Sequence, residues 1–128
     1  MLEFDDIRIG NKVLHTISGK TVTILKIEEN RILLQTFPAD TYVSNKDITG
    51  IVLTTSILQK LGFTNDMEVN TWKGEGIHIR LKQDGFFYGL RNFKKTQMQY
   101  LHQLQNYIAD FYALFREQRY SLDLSSLY

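Results

Sequence analysis

GEGIHIRLKQDGFFYGL, residues 74 to 90, decides how the second half of this chain folds. Two turn signals, Gly-Glu-Gly and Asp-Gly, divide it into strands. Turn length then sets which side chains share a face, because side chains alternate along a strand. A two-residue type I′ turn needs positive φ at both positions, and Asp84-Gly85 is a strong signal for one. Such a turn predicts Lys82 opposite Phe87, Leu81 opposite Tyr88, Arg80 opposite Gly89, Ile79 opposite Leu90 and His78 opposite Arg91. Ile79, Leu81, Tyr88 and Leu90 then form one face. His78, Arg80, Lys82, Phe87 and Arg91 form the other. A three-residue turn over the Gly-Glu-Gly run adds Glu68, Asn70 and Trp72 to that second face. With MEVNTWK before it, the stretch reads as a three-stranded antiparallel meander.

Downstream, QMQYLHQLQNYIADFYALF (residues 97 to 115) contains neither Gly nor Pro. Leu101, Leu104, Ile108, Phe111 and Phe115 recur at three and four residues, which marks one buried helical stripe. Tyr100, Tyr107 and Leu114 add a second stripe beside it. The pattern predicts a helix from Lys95 or Thr96 to Arg116, about 30 Å long. His102 lies among Gln99, Gln103, Gln105 and Asn106, with no carboxylate or second histidine at helical spacing. It reads as a surface or boundary residue rather than a catalytic one or a metal ligand.

Upstream, NKVLHTI, TVTILKI and RILLQTF are short β-prone runs separated by SGK and EEN turns. They predict an SH3-like or small-barrel β unit. Residues 37 to 47 read as a loop with one short edge strand, and ITGIVL as a further strand. TTSILQKLGF predicts a short helix capped by Thr54 or Thr55 and ended by Gly62. The expected fold is α+β in a single domain. Residues 1–53 form a β-rich half, 54–93 the short helix and meander, 94–117 the long helix and 118–128 a tail.

The 128 residues include fifteen Lys and Arg against fourteen Asp and Glu, and no cysteine. Thiolate ligands, thiol nucleophiles and disulfides are therefore excluded. No apolar run reaches the roughly 18 residues of a membrane span, and no signal peptide is evident, so a cytoplasmic protein without a membrane partner is expected. No nucleophile elbow or phosphate loop occurs. Adjacent carboxylates at Asp5/Asp6 and Glu28/Glu29 point to opposite sides of an extended chain. A non-enzymatic protein without cofactor, metal or catalytic residues is the expectation.

Net charge is balanced, but its distribution is not. Between Lys73 and Lys95 stand six basic and two acidic residues. The second face of the meander joins cations to aromatics: His78, Arg80, Lys82 and Arg91 with Phe87 and Trp72. Lys94 and Lys95 extend it at the start of the helix. Cations neutralise phosphates, and an exposed ring stacks on an unpaired base. These eight residues are the candidate RNA- or partner-binding site. A flat acidic protein surface would fit the same face.

YLHQLQN, residues 100 to 106, resembles the Y-[VL]-H-Q-L-Q-N segment near the end of a group of small phage, prophage and mobile-element proteins. IRIGNKV resembles that group's opening, and GIVLTTSILQKLGF its middle phrase, in the same order. The chain departs from the group in lacking a proline before the short helix and in its longer ending. The resemblance implies a mobile-element protein acting in the host bacterial cell. The leading expectation is an anti-CRISPR protein that binds a CRISPR nuclease effector, of the RNA-targeting type VI, or its guide RNA. A stand-alone RNA-binding accessory protein and a structural component of a mobile element remain the alternatives.

Overall fold

The structure, a computed structural model, describes residues 1–66, 70–89 and 97–128. It is α+β, with two five-stranded antiparallel sheets, a short helix α1 (Thr55–Lys60) and a long helix α2 (Leu101–Phe115). The chain forms two compact units. One is Met1–Val52 with Tyr100–Asn106, and the other is Leu53–Gln99 with Tyr107–Tyr128. Among the described residues, no helix is long and apolar enough to cross a membrane.

The first unit contains β1 (Lys12–His15), β2 (Lys20–Ile27), β3 (Ile32–Leu34), β4 (Thr41–Val43) and β5 (Ile48–Thr49), in the order β4-β3-β2-β1-β5. The last strand returns to the first, pairing Leu14 with Thr49 and His15 with Ile48. The order leaves β4 and β5 as the edge strands of an antiparallel sheet. A register shift between Ile24 and Lys26 divides β2, so its first half pairs with β1 and its second with β3. Val13, Val22, Ile24, Ile32, Leu34 and Ile48 alternate inward and make the core with Leu2 and Ile7. This is the period-two pattern of strands buried on one face.

The first two turns of α2 belong to this unit, and the helix starts later than expected, at Leu101. Tyr100 still bridges to Val52, and Leu101 donates its N–H to the Ile51 carbonyl at 2.8 Å. The Gln103 side chain accepts the Tyr100 N–H at 3.0 Å, which is half of a capping box. Fifteen residues give a helix of about 22 Å at 1.5 Å per residue. Leu101, Leu104, Ile108 and Phe111 are buried as the spacing predicts, whereas Phe115 is 48% exposed.

The polar stripe of this helix faces protein, not solvent. The Gln105 side chain accepts the Lys12 N–H and donates to the Gly10 carbonyl. Asn106 accepts from the Asn11 amide at 2.8 Å. His102, expected near the surface, is 0% exposed, with Nε2 2.9 Å from Asp6 Oδ2. Neutral amides and an imidazole can bury because each finds a partner; a charged stripe would have remained in water.

The second unit is a five-stranded meander rather than a three-stranded one. It contains β6 (Thr64–Asp66), β7 (Thr71–Gly74), β8 (Ile77–Leu81), β9 (Phe87–Gly89) and β10 (Gln97–Met98) in sequential order. Before it, α1 is capped as expected, with Thr54 Oγ1 accepting the Ile57 N–H at 3.2 Å. The Phe63 and Gly62 N–H groups close its end on the Leu58 and Gln59 carbonyls, a Schellman motif.

Both hairpin turns differ from expectation, and each shifts the register by one residue. Gly74 pairs with Ile77, so Glu75-Gly76 is the two-residue turn, with φ of 50° and 73°. Positive φ at both positions suits type I′. At the next hairpin Gly85 alone has positive φ, 85°, and Asp84 does not. Gly85 donates to the Lys82 carbonyl, and Lys82 to the Phe86 carbonyl, which makes a three-residue loop with a G1 bulge. Leu81 therefore faces Phe87, Arg80 faces Tyr88 and Ile79 faces Gly89.

Non-glycine residues at positive φ carry a conformational penalty on the order of 1 kcal/mol. At Glu75 two distant contacts offset it. Tyr112 Oη donates to the Glu75 carbonyl at 3.3 Å, and the Tyr120 hydroxyl donates to its carboxylate. Tyr120 also stacks on Tyr112, with ring centroids 4.2 Å apart, and Leu122 is buried. Burial and the Glu75 carboxylate push the Tyr120 hydroxyl well above its ordinary range. The tail from residue 118 therefore docks on the second unit.

Candidate nucleic-acid interface

A one-residue shift sends a strand's side chains to the opposite face. Phe87 now shares its face with Leu81 and Ile79, and Trp72 pairs with Ile79. Phe87 is 2% exposed and Trp72 3%, so neither can stack on an RNA base. Both belong to the core of the second unit. The expected joining of Arg80 and Lys82 to these two rings is corrected: the cations are outside and the rings inside.

His78, Arg80 and Lys82 are exposed, as expected. Lys73 joins them, since it pairs with His78 across β7 and β8. Arg91, Lys94 and Lys95 lie outside the described residues. Asp66 shares this side of the sheet with Thr71 and Arg80, and Asp84 lies beside Lys82, so two carboxylates stand among the cations.

The aromatic on this face is Tyr88, opposite Arg80, and its ring is occupied. Lys82 Nζ sits 4.3 Å from the ring centroid. The Tyr88 hydroxyl donates to Asp84 Oδ2 at 2.5 Å, while Asp84 Oδ1 accepts the Phe86 N–H at 2.9 Å. The tyrosine bond, and then the backbone bond, hold the Asp84 carboxyl below its ordinary pKa, and the same Asp84 bond raises Tyr88. Stability from a depressed carboxylate is present above its unfolded pKa, about 3.9, and is lost as pH falls through the folded value. Tyr88→Phe should raise the Asp84 midpoint toward the ordinary value, in a carboxyl-carbon NMR titration. An unchanged midpoint would mean that the backbone bond alone holds it.

A second cationic feature, which the charge count did not single out, lies in the first unit. A groove of about 540 Å³ opens beside the first half of β2. Lys12, Lys20 and His15 line it with Thr21, Thr23 and Phe37, and among the described residues no Asp or Glu does. Lys12 Nζ donates to Thr23 Oγ1 at 3.1 Å. His15 is 9% exposed, its Nδ1 lies 2.9 Å from Ser18 Oγ, and its Nε2 is buried with no hydrogen-bond partner. Ser18 Oγ also accepts the Lys20 N–H at 3.3 Å, so the histidine–serine contact staples the β1–β2 turn. A histidine serving as general base is held by a third group at its other nitrogen, and among the described residues His15 Nε2 meets none.

Comparison with protein-family models, with curated proteins and with solved structures returns no match.

Proposed function

We propose that this protein is a non-enzymatic inhibitor of bacterial defence, of the anti-CRISPR kind, which works by docking on a CRISPR nuclease effector. The observation that supports the reading is the row of exposed basic side chains Lys73, Arg80 and Lys82, with His78 among them, held on one side of a sheet. Neighbouring strands in a sheet lie about 4.8 Å apart, a spacing that suits a rigid array of anionic groups. With Phe87 and Trp72 inside, this face offers charge without a free ring. It suits an acidic protein surface or the backbone of a bound guide RNA better than unpaired bases.

Tagged protein should retain one large effector from a lysate of effector-expressing cells, and should keep it after nuclease treatment. The double variant Arg80→Glu/Lys82→Glu should slow association at least about tenfold at low ionic strength, because charge complementarity acts mainly on the on-rate. Both residues are exposed, so the melting temperature should fall only slightly, through loss of the Lys82–Tyr88 contact. Equal capture by the variant would remove this face from the interface.

A second reading, a stand-alone RNA-binding accessory protein, draws on the acid-free groove of the first unit. Capture of RNA alone, lost at high salt, would favour it.

A further inference from the structure

We propose that Asp84-Gly85 is a modification site, at which the backbone rearranges through a cyclic imide to isoaspartate, and that the Tyr88 hydroxyl keeps it closed while the hairpin is folded. This assignment does not depend on the inhibitor reading. Of the eight glycines, Gly85 alone follows an Asp or Asn. A glycine there leaves the peptide nitrogen open to the preceding carboxyl, because no side chain hinders the approach. Both residues lie exposed at the tip of the β8–β9 hairpin. Beyond its chain neighbours, no atom lies within 4 Å of the point where a Gly85 side chain would begin, so water reaches the site.

The step needs only this chain and water. The Gly85 nitrogen attacks Asp84 Cγ, forms a C–N bond and gives up its proton, and one carboxyl oxygen leaves as water. Water then reopens the imide. Breaking the bond from nitrogen to the Asp84 main-chain carbonyl carbon leaves isoaspartate, and breaking the bond to Cγ restores aspartate. The leaving oxygen must be protonated, so the neutral carboxyl is the reactive form. Three contacts oppose the step in the folded chain. The Tyr88 hydroxyl and the Phe86 N–H hold the two carboxylate oxygens at 2.5 and 2.9 Å and keep the group ionised, the tyrosine contributing the larger part. The Gly85 N–H donates to the Lys82 carbonyl at 3.0 Å, which ties down the nucleophile. Isoaspartate adds one CH2 group to the backbone in the loop that seats Phe87 opposite Leu81, so the change would reach the pairing of β8 with β9.

The test compares the purified full chain in buffer and in urea, warmed at neutral pH. Trypsin releases residues 83–91, in which Asp84 is the one acidic residue, and chromatography separates the aspartyl and isoaspartyl forms of equal mass. Isoaspartate should form at least about tenfold more slowly in the folded chain, the factor expected from one hydrogen bond to a charged group. Tyr88→Phe should recover about that factor when folded and change nothing in urea, where the bond is absent. Asp84→Glu, whose imide ring is larger and closes more slowly, should give no rearranged peptide. An unfolded chain that forms no isoaspartate removes the site. Equal rates in buffer and in urea overturn the gate without recourse to any variant. So does a Tyr88→Phe chain, shown to be folded by its melting temperature, that rearranges no faster than the wild type.

Discussion

Phe87→Ala should lower the unfolding free energy by about 3–5 kcal/mol, the range for removing a fully buried phenylalanine. The ring is 2% exposed, and its strand partners Leu81 and Met98 place it on the inner side of the sheet. Met98 is itself 1% exposed, so the ring is packed from a neighbouring strand as well. Arg80→Ala, one strand away on the outer side, should fall within about 0.5 kcal/mol of the wild type. Urea denaturation followed through Trp72, the single tryptophan and 3% exposed, reads both. The contrast tests the register directly. With the two-residue Asp-Gly turn, Phe87 would stand beside Lys82 on the outside, and its removal would cost little. A Phe87→Ala cost below about 1 kcal/mol would restore that register and return the ring to the candidate interface.

The two turns show where local sequence stops deciding structure. Asp84-Gly85 has the composition of a type I′ turn, yet Asp84 keeps negative φ because its carboxylate works better elsewhere. It accepts Phe86 N–H and the Tyr88 hydroxyl, four residues ahead. Glu75-Gly76 has poor type I′ composition and adopts that turn, because Tyr112 and Tyr120 hold Glu75 from 37 and 45 residues away. The contacts at Glu75 are tertiary and invisible in a window of turn residues, whereas those at Asp84 lie within the hairpin itself. Two single-residue errors sufficed to exchange the faces on which Phe87 and Trp72 lie. His78, Arg80 and Lys82 kept their exposure, since β8 has apolar residues only at Ile77, Ile79 and Leu81 and its alternation fixes the polar side without reference to its neighbours.

The first unit was more legible, for the converse reason. Its turns at SGK and EEN separate strands whose buried residues, Val13, Val22, Ile24, Ile32 and Leu34, alternate with more exposed neighbours. A slip between β1 and the first half of β2 would bury Lys12, Thr21 and Thr23, so that pairing is well specified. The groove left no comparable signal. Lys12, Lys20 and Phe37 are separated by 8 and 17 residues, and strand pairing sets Lys12 beside Thr23 and Lys20 beside His15. The helix's amide stripe could have been read more fully. His102, Gln103, Gln105 and Asn106 are polar without being charged, and such residues can be buried wherever each finds a hydrogen-bond partner.

His102→Ala should cost about 2–4 kcal/mol, from a cavity at a wholly buried site and from a lost hydrogen bond to a carboxylate. The imidazole is 0% exposed and stacks beside Tyr100, with centroids 5.7 Å apart. Its Nδ1 is already buried without a hydrogen-bond partner, so Asp6 supplies the ring's one polar contact among the described residues. Asp6→Ala should therefore cost about 1–3 kcal/mol, the penalty for a buried polar group left with no partner. Asp6→Asn keeps an acceptor oxygen and should cost less. Because the Asp6 side chain is 42% exposed, it can rehydrate when His102 is removed; the pair's penalty then falls mainly on the imidazole side. A double-mutant cycle of His102→Ala and Asp6→Ala should give a coupling of about 0.5–3 kcal/mol, as for residues in contact. Stability and binding must be measured on the same variants. A large stability loss with binding restored at low temperature marks His102 as the staple that seats the N-terminal turn on the helix. Intact stability with lost binding would instead place the histidine in a working site and overturn the structural role.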